Sequence, residues 1–151
     1  MASPTTLGAI VAKFAGDATL AADAADTGGL WVCEVPEQLK SFPLVVLVQI
    51  EEVPEWDTEA DTITEIGKYE FHIFHTSLAT AESIAGHVKA VFDPTSALGA
   101  GNFPALDVTG QRSSWIEREN YLVRMAEFRA PDGKTVFEIV LPFKSVVNKA
   151  I

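Results

Sequence analysis

Apolar residues recur at intervals of three and four in two stretches of the chain, which predicts two main amphipathic helices. The first stretch follows Ser3, a capping residue, and Pro4, which suits the first helical turn. Its apolar stripe consists of Leu7, Ile10, Val11, Phe14 and Ala15. The second helix is predicted over Ser77–Asp93, with a stripe of Ala81, Ile84, Ala85, Val88, Val91 and Phe92. Ala18–Ala25 predicts a short additional helix after the first.

Runs of β-branched and aromatic residues predict the strands. They are Leu30–Val35, Leu44–Ile50, an alternating run from Ile66, Ser113–Ile116, Tyr121–Phe128 and Thr135–Phe143. In the last strand Phe137, Ile139, Leu141 and Phe143 share one face, which is predicted to be buried. Pro142 predicts an edge position or the end of that strand, since proline cannot donate to a ladder.

The order of these elements predicts the fold class. A helix, three strands, a second helix and three more strands favour an α+β fold, with the two main helices packed on one face of a largely antiparallel sheet. The length of 151 residues is typical of one domain, so residues 1–151 are predicted to form a single domain.

The segment Glu51–Glu65 contrasts with its surroundings, because it is acidic and contains Pro54. It is predicted to be a connection that projects from the sheet. Its carboxylates are predicted to stay in water: Glu51, Glu52, Glu55, Asp57, Glu59 and Asp61. Trp56 lies among these acids without an evident core role, so we expect it to pack against a partner chain. Trp31 and Trp115 are interpreted as core residues of their strands.

Charge narrows the possible partners. The formal net charge is −10, which opposes binding to bare nucleic acid and to anionic membranes. No run of apolar residues approaches the ~20 needed to cross a bilayer, and the first residues lack the pattern of a secretory signal. Cys33 is the only cysteine, which is compatible with a reducing cytoplasm, and it is predicted to be a small buried residue of a strand.

Sites of known chemistry are not evident. The run Gly99–Pro104 begins like a dinucleotide loop but ends in proline and follows a helix. Asp57, Glu59 and Asp61 alternate like a calcium loop that lacks its glycine and its closing carboxylate. His72 and His75 lie three apart on a strand, so they point to opposite faces and cannot share a metal locally. We therefore expect no catalytic residue, no metal and no cofactor.

The order of segments resembles that of the tail-terminator, or tail-completion, proteins of long-tailed phages and prophages. The resemblance is carried by five segments: Gly28–Val32, Phe42–Leu47, Tyr69–Phe74, the helix with Ala79, Ala81, Glu82 and Ile84 to Val88, and the strand pair around Glu127-Phe128 and Phe137–Ile139. It implies a homo-oligomeric, hexameric ring that caps the tail tube, stops its polymerisation and joins it to the head connector. It also implies a structural protein of the virion tail that is assembled in the host cytoplasm and has no enzymatic activity.

The implied partners are other copies of this chain, the tail-tube protein and the head–tail connector protein. DNA would pass through such a ring without sequence-specific contacts, and negative walls would avoid retaining its phosphates. The six acidic residues of Glu51–Glu65 named above are the candidates for this channel wall. Three other interpretations stay open: another head–tail connector or tail-tube subunit, a small ligand-binding module, and an enzyme with an unfamiliar site.

Overall fold

The computed structural model describes residues 5–34, 42–57, 62–93, 103–111, 113–119, 124–130 and 132–150 of the chain. Its helices are α1 (Thr6–Gly16), α2 (Ala18–Ala24) and α3 (Leu78–Phe92), with a 3₁₀ turn at Ala25–Thr27. Its strands are β1 (Trp31–Val32), β2 (Leu44–Asp57), β3 (Thr62–His75), β4 (Ser113–Arg118), β5 (Arg124–Arg129) and β6 (Thr135–Ala150).

The strands form one sheet in the order β1-β2-β3-β6-β4, and β5 pairs with β6 beside β4. Every pairing is antiparallel except the short parallel contact of β1 with β2. The α+β fold with a largely antiparallel sheet is therefore confirmed.

Each helix starts at a side chain that accepts a backbone hydrogen bond, as helix capping requires. Thr5 accepts from the N–H of Gly8 at 3.0 Å, so it caps α1 in place of the predicted Ser3. Asp17 accepts from Leu20 at 3.0 Å and separates α2 from α1. Ser3 and Pro4 lie outside the described residues.

The main core lies between the helices and one face of the sheet. The stripe predicted for α3 is buried at Ala81, Ile84, Ala85, Val88 and Phe92, and Val91 packs at its margin. Four aromatic rings meet at its centre: Phe71 lies 5.0 to 6.1 Å from the ring centroids of Phe14, Phe92 and Phe143. We call this side of the sheet the helix face and the opposite side the open face.

The predicted connection Glu51–Glu65 is wrong, since most of it continues the two strands on either side. β2 extends to Asp57 and β3 starts at Thr62, and the two stay paired over this range. β1 pairs with β2 only at Val46 and Leu47, which leaves the outer part of β2 at the edge of the described sheet. Charged residues are common in edge strands, and this explains why an acidic strand resembles a loop in the sequence.

Pro142 also departs from the prediction, because it lies inside β6, which is a central strand. Its carbonyl oxygen accepts from the N–H of Glu119 at 3.1 Å, so the missing N–H of Pro142 points to that same side. On this side β5 pairs with β6 up to Val140, and β4 pairs with it from Phe143 onward. The proline therefore lies where neither described strand, β4 nor β5, needs a donor from β6.

The buried row of β6 is confirmed in part. Ile139, Leu141 and Phe143 are buried in the main core, whereas Phe137 is only half-buried near the start of the strand.

Candidate assembly surface

A β-bulge in β2 reverses which of its side chains point to each face of the sheet in the outer half of the strand. The register shifts between Gln49 and Glu51, which leaves Ile50 as the additional residue, 53% exposed. Before the bulge, Val45 and Leu47 point into the main core. Beyond it, Val53 lies opposite Ile66, on the open face, where simple alternation would have placed it on the helix face.

The open face carries an apolar row across four strands in this outer half. Val53 of β2 lies opposite Ile66 of β3, Ile66 opposite Val146 of β6, and Val146 opposite Trp115 of β4. Val53 is 46% exposed, whereas Val146 is buried and the other two are half-buried. We call these four residues the apolar row.

A row of charges runs beside the apolar row. Lys68 contacts Glu51 with 3.6 Å between Nζ and Oε1, and Lys144 contacts Glu117 at 2.7 Å. The two lysines lie directly opposite each other at the centre of the row, where their positive charges repel each other. Each lysine is neutralised by the acid on its outer side, which offsets this repulsion. The row is neutral as a whole, and such partly exposed pairs each contribute only about 0–1 kcal/mol.

Trp115 belongs to this surface and not to the core position predicted for it. Its ring lies at the end of the apolar row, and its Nε1 is inaccessible to solvent without a hydrogen-bond acceptor among the described residues. The prediction for Trp31 is confirmed in part: it is half-buried against a smaller core cluster on the open face, and its Nε1 donates to the carbonyl oxygen of Thr27 at 2.9 Å.

The helix face of the same region contains a buried tyrosine. Tyr69 is 1% exposed, and its ring lies over Gly67, next to Ser145. Burial raises the pKa of Tyr69 to about 12, and the nearby charges of Glu52 and Glu65 act in the same direction. The Ser145 hydroxyl offsets part of this rise, although neither hydroxyl has a well-aligned hydrogen bond within the described ranges.

The predicted acidic residues are distributed over both faces. Glu51 binds Lys68 on the open face, whereas Glu52 lies opposite Gly67 and acts on Tyr69 from the helix face. A channel wall formed by one face would therefore contain only one of these two. The backbones of Glu55, Trp56 and Asp57 pair with Thr64, Ile63 and Thr62. The side chains of these three residues, and Glu59 and Asp61 entirely, lie outside the described part, so their predicted roles stay predictions.

The cysteine and histidines occupy unrelated positions. Cys33 is exposed just after β1, with a left-handed φ of 55°, so the prediction of a buried cysteine is wrong. His72 lies on the open face, where Nε2 is 3.2 Å from Glu70 and Nδ1 is 3.6 Å from Glu138. His87 of α3 contacts Asp23 of α2 at 2.6 Å. Across the ranges that the structure covers, no three potential ligands are arranged to hold a metal ion.

Comparison with known proteins gives a likeness of fold. The chain is similar to one in a solved structure described as the virion of a native gene transfer agent (GTA) particle, with a TM-score of 0.54 and 18% sequence identity. The match covers 97% of this chain and 99% of the other, so the two share a fold over nearly their whole length. No family model matches the sequence, and no curated protein matches it. None of the described helices could span a membrane.

Proposed function

We propose that this chain is a structural protein of a phage-like virion, and that it acts as a tail terminator. Six copies form a ring that caps the tail tube, stops its growth and joins it to the head connector. The proposal assigns the chain no catalytic role and no cofactor. It places the protein in the virion tail after assembly in the host cytoplasm.

The observation that carries this proposal is the end-to-end likeness of fold to a chain from a gene transfer agent virion. A match over nearly the full length of both chains supports a shared architecture better than a match to an isolated motif would. The resemblance of the segment order to tail terminators supports the finer assignment. Fold likeness alone is compatible with several roles in a virion, so the finer assignment needs its own test.

The apolar row supports an assembly role on physical grounds. A ring arises from head-to-tail contacts between two different surfaces of each subunit. Such contacts are stabilised by apolar residues that lose water and are surrounded by polar groups. Val53 and Ile50 are large apolar residues left exposed on one part of the protein, and the charge row borders them.

The native mass of the purified protein tests the ring. Size-exclusion chromatography with light scattering should give about six times the monomer mass of 16.3 kDa. Val53→Asp should shift the protein toward smaller species, because it places a charge in the proposed contact. Ala90→Asp is the control, because it adds the same charge at an exposed position of α3. Val48→Asp on β2 would not serve, because Val48 packs against a core cluster. A monomer at all concentrations would contradict the ring and favour a small binding module.

A tail-tube subunit is the second candidate, because the outer part of β2 lies at an edge of the described sheet, where a strand of another copy could pair with it. Head-to-tail contacts that do not close give open filaments. Electron microscopy separates the two, since a terminator gives closed rings of fixed mass and a tube subunit gives tubes of variable length. A heterogeneous, growing mass would therefore favour the tube subunit.

A further inference from the structure

His75 lies at the junction between β3 and α3, where its ring contacts the backbone of the residue that caps the helix. The N–H of Ser77 donates a hydrogen bond to Nδ1 of His75 at 2.8 Å. Ser77 is the N-cap of α3, and its Oγ accepts from the N–H of Thr80 at 3.3 Å. Its carbonyl oxygen accepts from Ala81 at 3.0 Å. His75 therefore fixes a residue on which the whole first turn of α3 depends.

This hydrogen bond requires one protonation state of the imidazole. A ring nitrogen that accepts a hydrogen bond carries no proton, so neutral His75 must hold its proton on Nε2. The imidazolium carries protons on both nitrogens and would turn an N–H toward the N–H of Ser77. The positive end of the α3 dipole also disfavours a cation at this position.

Among the residues that the structure describes, no acid contacts His75 to compensate a positive charge. Phe42 lies 6.4 Å from its ring, Phe137 lies opposite it on β6, and Leu78 begins α3. The closest acids in the register are Glu127, opposite Phe137, and Glu138, which contacts His72. Glu82, one turn along α3, is exposed. Burial is accordingly the cause that lowers the pKa of His75 below its ordinary value.

We infer that His75 is a pH-sensitive latch for the start of α3, which the neutral imidazole holds and protonation releases. The folded chain binds this proton less readily than the unfolded chain does. The latch therefore contributes its full stability above the unfolded pKa of about 6.5, and this stability is lost as the pH falls below that value. The device would make the first turn of α3 the first part of the helix to open in acid.

His75→Asn tests this directly, because the Asn Oδ1 can accept from the N–H of Ser77 at nearly the place of Nδ1 but does not titrate. His87→Asn is the control for removing a histidine from α3, since His87 lies away from the start of the helix, contacts Asp23 and does not touch Ser77. Thermal midpoints are measured between about pH 7.5 and about pH 5. The thermal midpoint of the wild type and of His87→Asn should decrease as the pH falls, and that of His75→Asn should decrease clearly less.

Hydrogen exchange of the full-length wild type provides a second readout that does not depend on a variant folding. After correction for the intrinsic effect of pH on exchange, protection of the hydrogen-bonded amides of Ser77, Thr80 and Ala81 should fall about two- to tenfold on acidification, the change expected for one net hydrogen bond. The second half of α3 should keep its protection. Unchanged protection of the first turn at about pH 5, or a His75→Asn variant with the pH dependence of the wild type, would overturn the inference.

Discussion

The β-carbon that Gly67 lacks would lie 2.7 Å from Cε2 of Tyr69, closer than side-chain atoms approach one another. The same position would be 2.7 Å from Oγ of Ser145. The ring of Tyr69 therefore occupies the space that a side chain at position 67 would fill. This contact fills the helix face of the sheet between Gly67 and Ser145.

Gly67→Ala should therefore destabilise the protein by about 1–3 kcal/mol, as overpacking of a filled core does. Gly86→Ala in α3 is the matched control, because its added β-carbon would meet nothing within 4 Å. That variant should be neutral or gain up to about 1 kcal/mol from helix propensity. Chemical denaturation of both variants measures the difference, and equal stabilities would show that Tyr69 can leave its place at little cost.

Tyr69 should titrate far above an ordinary tyrosine, since its pKa is raised from 10.0 to about 12. The folded chain then holds a proton that the unfolded chain has lost. Its contribution to stability is therefore complete below pH 10 and is lost as the pH rises through about 12. The ultraviolet absorbance of tyrosinate, followed in the wild type and in Tyr69→Phe, measures this. The tyrosinate signal that disappears in Tyr69→Phe should be one that titrates near pH 12. If the signal that disappears titrates near pH 10, the hydroxyl of Tyr69 is not buried.

The core row of β6 predicts unequal effects of two similar substitutions. Ile139→Ala should cost about 2–5 kcal/mol, because it opens a cavity in the main core. Phe137→Ala should cost clearly less, although the side chain removed is larger, since Phe137 is only half-buried. Thermal or chemical unfolding of the two variants decides this. A larger loss for Phe137→Ala would mean that the start of β6 is covered in the assembled protein.

Much of this fold follows from periodicity, and α3 illustrates why. Its stripe repeats every three to four residues and faces a single core, so the sequence determines both the helix and its buried side. The outer part of β2 could not be predicted in the same way. Its acids are tolerated because it lies at a sheet edge, and edge position is a property of the topology.

The candidate surface was missed for a related reason. The bulge at Ile50 reverses the alternation of β2, and no local residue pattern indicates it. The row from Val53 to Trp115 joins four strands that are far apart in sequence, so only their register brings it together. Pro142 shows the same dependence, because its place in a central strand relies on the gap between β4 and β5.

Trp56 is predicted from the sequence to contact a partner chain, and this prediction needs an experiment. Its backbone lies in the outer part of β2, opposite Ile63. Trp56→Ala should weaken assembly and leave the monomer folded, because buried aromatics carry a large share of interface energy. Light scattering reports the mass and circular dichroism reports the fold. An unfolded variant would place Trp56 in the core, and an unchanged variant would exclude it from the interface.

The central claim is that copies of this chain close into a ring that ends a phage-like tail. Cryo-electron microscopy of the purified protein tests it most directly, since class averages along the ring axis show the symmetry without any assumption about the interface. The account predicts closed rings of six subunits with an open channel. Single subunits, symmetric pairs or open-ended tubes as the main species would contradict it.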